Sequence, residues 1–324
     1  MRRRVASSVI VFAAVYVLNF FLPRLAPGTF VSSLDSQSNL DPQQRAALVA
    51  KFGLDQSLWQ QFLTYAHQTF SSFPPSFGYS FAYYPATVWQ VVWIYLPWTL
   101  LLIIVSQLIA WGGGVLVGAW VGWHPSSKKN SILFLSSTFM WGVPPFWIGE
   151  ILIFVLAVHF HLFPPSLTSG VDTSNLMVAI PAILSHSFLP ILTLVLYSFP
   201  IQAMVMRNNM VSVLREDFIS AAVARGIKSR TLILRHAARN ALLPSITNLT
   251  LSFGAVLTGA YIIEIVYSYP GMGYLITQSL YDHDYPVLQG VFFFSAALVI
   301  IANLVGDVAI VLLDPRVDYE EARE

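Results

Sequence analysis

RNNMVSVLREDFISAAVARGIKSRTLILRHAARNALL, residues Arg207 to Leu243, lies between two long apolar runs. It carries seven of the chain's 17 Lys and Arg side chains: Arg207, Arg215, Arg225, Lys228, Arg230, Arg235 and Arg239. A Lys or Arg at the centre of a membrane-spanning helix costs roughly 2.5 to 3.5 kcal/mol on insertion scales. This segment therefore belongs in water, while its flanks belong in hydrocarbon.

The composition around it agrees. Of 324 residues, 56% are apolar and 10% are charged, against about 25% charged in a soluble domain. Six windows are apolar enough to cross a bilayer core, which takes about 20 helical residues. They lie near Val5–Leu22, Leu96–Trp120, Ser131–Val158, Ser187–Met206, Pro244–Val266 and Leu288–Leu313. With the N-terminus inside, 14 of the 17 basic residues fall in inner segments, leaving Arg24, Arg45 and Lys51 in one long outer stretch. The positive-inside rule thus predicts a multi-pass protein of the cell membrane with both termini cytoplasmic. The first window follows Arg2-Arg3-Arg4 and reads as a retained signal anchor, because Leu22-Pro23-Arg24 offers no small-x-small cleavage site. The fold class expected is all-α and polytopic, one transmembrane domain over residues 1–324. Within it, residues 24–95 form an external region with one or two amphipathic helices between Asp41 and Phe70.

Several chemistries are excluded. No cysteine is present, so there is no thiol nucleophile or Cys-based metal site. No Gly-x-x-x-x-Gly-Lys-Ser/Thr element exists to hold a nucleotide, so the chain is not an ATPase and not an enzyme on this reading. A rhomboid-type protease lacks its Gly-Ser element here. An ion-coupled secondary transporter, the alternative of a different class, would show an internal repeat of broken helices, and none is evident. His159, His161 and His186 fall in or beside one outer loop, where histidine is an ordinary residue; no metal site is expected. The Trp and Tyr residues at span ends fit interfacial belts. Gly112-Gly113-Gly114 with Gly118 permits close helix approach in the second span.

Within the basic segment, Asp217 is placed to cap a helix Phe218–Arg225, Gly226 to end it in a left-handed conformation, and Ser229 to cap a second helix running toward Pro244. Such a hairpin would expose Ala221 and Ala222 for close approach, with Arg and Lys at the rim. The plainer reading is a basic loop that fixes topology and touches anionic membrane lipid.

Ser220-Ala221-Ala222-x-x-x-Gly226-Ile227, followed by Arg235-His236-Ala237-x-Arg239-Asn240-Ala241-Leu242-x-Pro244, resembles the EAA loop of inner-membrane permeases of binding-protein-dependent ABC importers, closest to the dipeptide/oligopeptide/nickel subfamily. Further matches run almost end to end. They are Phe52-Gly53-Leu54-Asp55-Gln56-Ser57-Leu58-Trp59, Val143-Pro144-Pro145-Phe146-Trp147-Ile148-Gly149, Glu264-x-Val266-Tyr267-Ser268-Tyr269-Pro270-Gly271-Met272-Gly273, Asp284-Tyr285-Pro286-Val287-x-Gln289-Gly290 and Leu313-Asp314-Pro315-Arg316.

The resemblance implies a type I importer permease, one half of a pore completed by a second homologous permease subunit. Two ABC ATPase subunits, which bind the ATP and Mg, would dock inside, and an extracytoplasmic solute-binding protein outside. No cofactor would be bound by this chain, and no nucleic acid. The coupling helix would run from about Phe218 to Lys228. Gly226 would supply the bend, Ala221 and Ala222 the close contact, and Arg225 or Lys228 the polar rim. Peptides are the default cargo, with oligosaccharides or nickel as alternatives within the class. Ser220 stands where the name-giving Glu would be, and Arg239 where other importers have Pro; both fit the peptide subfamily. Pro27-Gly28-Thr29 replaces a common Pro-Gly-Asp, and Glu150 falls where relatives are usually apolar.

Acids inside spans invite functional readings because burying them is costly. Glu150 either lines the translocation path, meeting a cationic group of the cargo, or pairs locally with backbone freed by Pro144 and Pro145. Glu264, like Glu150 a candidate for the translocation path or gate, either latches the outer turn, with Pro270-Gly271 as the central pair of a type II turn and Gly273 just beyond, or contacts the cargo directly.

Overall fold

The computed structural model describes residues 2–25, 42–51, 53–71, 75–124, 127–166 and 176–313. Among these the regular structure is helical, apart from an isolated bridge between Tyr79 and Thr87. The helices are α1 (Arg2–Phe21), α2 (Pro42–Lys51), α3 (Leu58–Phe70), α4 (Val88–Trp123), α5 (Lys128–Trp141), α6 (Pro145–Leu152), α7 (Leu176–Val213), α8 (Asp217–Ala224), α9 (Ala238–Val266), α10 (Met272–Tyr281) and α11 (Tyr285–Leu313). Pro27-Gly28-Thr29, Phe52, residues 72–74 and 167–175 and the stretch 314–324 lie outside the described residues.

Among the described residues three helices are long and apolar enough to cross a membrane: Val88–Trp123, Ile180–Val213 and Tyr285–Gly306. Two bent pairs qualify if each is one span, Ile132–Trp141 with Pro145–His159 and Ser229–Gly254 with Val256–Val266, and a shorter apolar helix covers Ile10–Leu25. All six expected windows are thus helical. The third is not one straight span. It turns by 100° between its halves, because Gly142 ends α5, Pro144 is extended at φ −59°, ψ 139°, and Pro145 opens α6. A proline at the first helical position gives up an N–H that would be unbonded there anyway. The second span starts at Val88, eight residues before the apolar window, because Thr87 and Gln90 form a capping box. Thr87 Oγ1 accepts the Gln90 N–H at 3.3 Å, and Gln90 Oε1 accepts the Thr87 N–H at 2.9 Å.

The chain divides into two compact units, residues 1–98 with 270–300 and residues 99–269 with 301–324. In the first, Asn19 donates to the Gln289 carbonyl at 2.7 Å, and Tyr16 stacks on Tyr65 with ring centroids 4.7 Å apart. The expected amphipathic segment is two helices, α2 and α3. Ser57 and Gln60 cap α3 reciprocally. Its inward face carries Tyr65 and Thr69, whereas the apolar residues Leu58, Trp59 and Leu63 are exposed. Arg24 donates to the Phe20 carbonyl at 2.8 Å and lies 3.7 Å over the Phe20 ring; burial pushes its pKa down to about 10, so it stays charged at neutral pH.

Asp284 is the polar centre of this unit. Its Oδ2 accepts the Ser80 hydroxyl at 2.5 Å and the N–H groups of Phe81 and Ala82 at 3.0 Å each, while Oδ1 accepts the Val287 N–H at 3.2 Å. One carboxylate thereby caps α11 and closes the Ser80–Tyr83 turn. Burial raises its pKa against the pull of these donors. A carboxyl whose pKa is higher folded than unfolded contributes most at low pH, and that contribution declines as pH rises from the ordinary carboxylate value through the folded one. Asp284→Ala is expected to leave two buried donors, the Ser80 hydroxyl and the Val287 N–H, without this acceptor, at about 1–3 kcal/mol for each. The readouts are a lower unfolding temperature in detergent and new protease cuts within residues 79–87. Asp284→Asn should keep part of the stability but lose the pH slope, and an unchanged slope would refute the assignment.

In the second unit, α4 lies against α7 along Gly114, Gly118 and Gly122. A polar network ties α4, α7 and α9 inside the bilayer windows. Gln107 donates to Ser252 Oγ at 3.0 Å, Gln202 to the same oxygen at 3.4 Å, and Asn248 to Gln202 Oε1 at 3.1 Å. Each such bond between membrane helices is worth about 0.6 to 2 kcal/mol.

Candidate functional site

The basic segment is less of a loop than its charge suggests. Its first two turns continue α7 to Val213, with Arg207 4.5 Å from the Phe134 ring centroid and Asn209 donating to the Ala241 carbonyl at 3.2 Å. Then α8 begins. Its N-cap is Glu216, one residue before the expected Asp217, and no side-chain cap bond is made. Asp217 sits instead in the first turn, where a carboxylate favours the positive end of the helix dipole. Likewise the turn Ser229–Thr231 is capped by Lys228, at φ −60°, ψ 139°, rather than by Ser229. A turn of wider radius, Leu232–Ala237, feeds α9, which passes through Pro244 without ending.

Between the two arms the chain reverses at Gly226, at φ +74°. The Gly226 N–H donates to Val223 O at 2.9 Å and the Ile227 N–H to Ala222 O at 3.3 Å, the bond pair of a Schellman motif, which calls for glycine at this position. Ile227 then packs on a cluster containing Met206, Met210, Ile219, Ala222, Leu232, Ala237 and Ala241. That cluster holds the hairpin against α7 and α9.

The cluster also corrects one expectation. Ala222, placed on the exposed face with Ala221, is 1% exposed. Ile219 and Ala222, three apart, form the inward face of α8, and the outward surface carries Phe218, Ala221, Val223, Arg225, Gly226 and Lys228. Val223, 58% exposed, is the member missed by sequence reasoning. What this surface offers is a protruding apolar knob with cations at its rim.

The second set of residues lies in two places, the broken helix and the segment from Glu264 to Gly273. Gly149 is buried against Tyr267, whose hydroxyl donates to the Gly149 carbonyl at 3.2 Å and shares a hydrogen bond with Thr193 at 3.0 Å. Glu150, next along α6, is exposed, as are Phe146, Trp147 and Ile151. No hydrogen bond or ion pair occupies its carboxylate among the described residues, which leaves the local pairing reading unsupported. Glu264 is fully buried and accepts the Thr99 hydroxyl at 2.6 Å; its backbone carbonyl accepts the Tyr269 N–H at 2.7 Å.

The type II turn expected at Pro270-Gly271 is absent. Gly271 is extended, at φ −103°, ψ −174°, and serves as the N-cap of α10, with its carbonyl accepting the Leu275 N–H at 3.0 Å. The left-handed residue nearby is Ser268, at φ +47°. Gly273 is buried in the first turn of α10. Among the described residues no group of three or more His, Asp or Glu side chains is arranged to hold a metal ion. His186 hydrogen-bonds through Nδ1 to the Ala182 carbonyl of its own helix at 2.7 Å.

Comparison with known proteins bears on this geometry. Residues 114–319, which include both halves of the broken helix and the hairpin, match the family described as "Binding-protein-dependent transport system inner membrane component". The chain is 31% identical over 317 residues to the oligopeptide transport system permease protein AppB of Bacillus subtilis (strain 168). It is 30% identical over 333 residues to the di/tripeptide transport system permease protein DppB of Pseudomonas aeruginosa (strain UCBPP-PA14). Over 341 residues it is 28% identical to the dipeptide transport system permease protein DppB of Escherichia coli (strain K12). Each alignment covers 98% of this chain and 98% of the relative.

Proposed function

Because the chain belongs to the family of binding-protein-dependent transport system inner membrane components, we propose that it is the peptide-translocating permease subunit of an ATP-driven importer. Both compact units then act as one permease domain, with both termini cytoplasmic. The observation that carries the reading is the hairpin: a knob of Phe218, Ala221 and Val223, rimmed by Arg225 and Lys228 and held from behind by Ile219, Ala222 and Ile227. Such a knob fits a groove on a separate ATPase subunit, which binds the ATP and Mg. Movement of that groove would be passed directly to α7 and α9, against which the hairpin is packed.

Peptide cargo is supported by the relatives' names and by the unpaired Glu150. A carboxylate on a face that also carries Trp147 and Ile151 is unsuited to lipid. We place that face, with the Pro144-Pro145 break behind it, along the path shared with a second homologous permease subunit, where Glu150 meets a cationic group of the cargo. Glu264, tied to Thr99, holds the turn beyond α9 at the outer gate, and Pro270, Gly271 and Gly273 start the helix that follows.

Gentle affinity purification from the native membrane is expected to recover a second permease, ATP-binding subunits and a solute-binding protein that carries peptide. Recovery of the chain alone, with uptake driven by an ion gradient in liposomes, would overturn the reading.

A further inference from the structure

An open groove of about 800 Å3 runs between the end of α4 and the start of α9, within the range of 300–1,000 Å3 that small-molecule sites occupy. Its walls are apolar, with Leu116, Trp120 and Trp123 on one side and Ile233 and Leu242 on the other. Two cations enter this lining, Arg235 from the wide turn Leu232–Ala237 and Arg239 from the first turn of α9. Among the described residues neither guanidinium has an ion pair or a side-chain hydrogen bond. Leu116 and Trp120 are 73% and 57% exposed, so the apolar wall is open along its length.

The occupant must therefore combine a long apolar body with an anionic, oxygen-rich end. We propose that the groove binds an anionic phospholipid, its phosphate on Arg235 and Arg239 and an acyl chain along Leu116, Trp120 and Leu242. Guanidinium groups match phosphate oxygens in paired hydrogen bonds, and basic pockets between helices on the cytoplasmic side of a membrane suit such headgroups. The tryptophans fit the level at which headgroup meets chain. A bound lipid would brace the wide turn Leu232–Ala237, the segment through which the hairpin joins α9. The site requires the membrane placement of the chain but not its cargo.

Native mass spectrometry of the intact complex, released from nanodiscs of phosphatidylcholine with increasing phosphatidylglycerol, reads the site directly. Arg235→Gln with Arg239→Gln is expected to lower retained phosphatidylglycerol about tenfold or more. Arg215→Gln with Arg230→Gln, a change of equal charge elsewhere, should leave retention unchanged. Leu116→Trp keeps both cations, narrows the groove along the acyl-chain wall and should also weaken lipid retention, which guards against a double Arg variant that does not fold. Equal retention in all variants would overturn the proposal. So would displacement by millimolar inorganic phosphate, which would mark a site for free anions. Cross-linking of the Trp120→Cys variant to the second permease, with no lipid lost on Arg235→Gln and Arg239→Gln, would assign the groove to a partner helix instead. Because retention is read without uptake or cargo, failure here and failure of the importer reading are separate results.

Discussion

Gly118→Val is expected to abolish recovery of folded protein. An added Cβ at Gly118 would meet the Ala203 carbonyl oxygen, Met206 Cβ at 2.9 Å and the Arg207 nitrogen at 3.0 Å. Two of these three atoms are backbone of α7, so no rotamer change relieves the overlap and the two helices must separate. Gly114 and Gly122, one helical turn to either side, are in the same position: a Cβ would lie 2.7 Å from Gln202 Cβ at the first and 2.7 Å from Met210 Cβ at the second. Separation at Gly118 therefore opens the whole α4–α7 seam and the Gln107–Ser252–Gln202 network above it. Overpacking usually costs about 1–3 kcal/mol, and more where backbone must move, which is a large part of a stability of about 5–15 kcal/mol. Gly112 supplies the control, since a Cβ there meets nothing within 4 Å. Gly112→Ala should be neutral or gain up to about 1 kcal/mol from helix propensity. Size-exclusion profiles of fluorescently tagged variants distinguish the cases. A monodisperse wild-type-like peak for Gly118→Val would show that the seam is not packed as described.

The contrast between those glycines marks where sequence reading stops. Gly112-Gly113-Gly114 was visible as a small-residue run, but which glycine faces a neighbour depends on the rotation of α4, and Gly122 completes the stripe while Gly112 does not. The six apolar windows and the hairpin were legible, because hydrophobic length and a left-handed glycine are local requirements. The inward face of α8 was not. An eight-residue helix carries too little pattern to say which side it buries, and Ala222 is drawn inward by residues from Met206 to Ala241. Pro270-Gly271 satisfied a local turn rule, yet the start of α10 took Gly271 in an extended conformation. The Thr87-x-x-Gln90 capping signature was present in the chain and would have moved the start of the second span. The polar network had no sequence signal, since its bonds join residues 145, 50 and 46 positions apart.

Gly226→Val should separate folding from coupling. At φ +74° with nothing within 4 Å of a built Cβ, Gly226 has ample space, so substitution there acts through the backbone alone. A left-handed conformation costs an L-residue roughly 1–2 kcal/mol, and a β-branched side chain tolerates it worst. That strain lowers the share of correctly formed hairpin by a factor of about 5–30. The bonds at risk are Gly226 N–H to Val223 O and Ile227 N–H to Ala222 O. Without them Ile227 leaves the cluster, and the knob loses its fixed angle to α7 and α9. The spans are untouched, so insertion and the size-exclusion profile should remain normal while ATP-driven uptake into liposomes falls about tenfold. Gly226→Asn tests the cause, because Asn accepts left-handed backbone more readily than Val and fills similar space. It should retain most of the uptake, with Gly226→Ala between the two. Equal loss in the Asn and Val variants would point to a steric demand of the docked ATPase rather than to backbone strain. Normal uptake by Gly226→Val would remove the hairpin from the coupling route altogether.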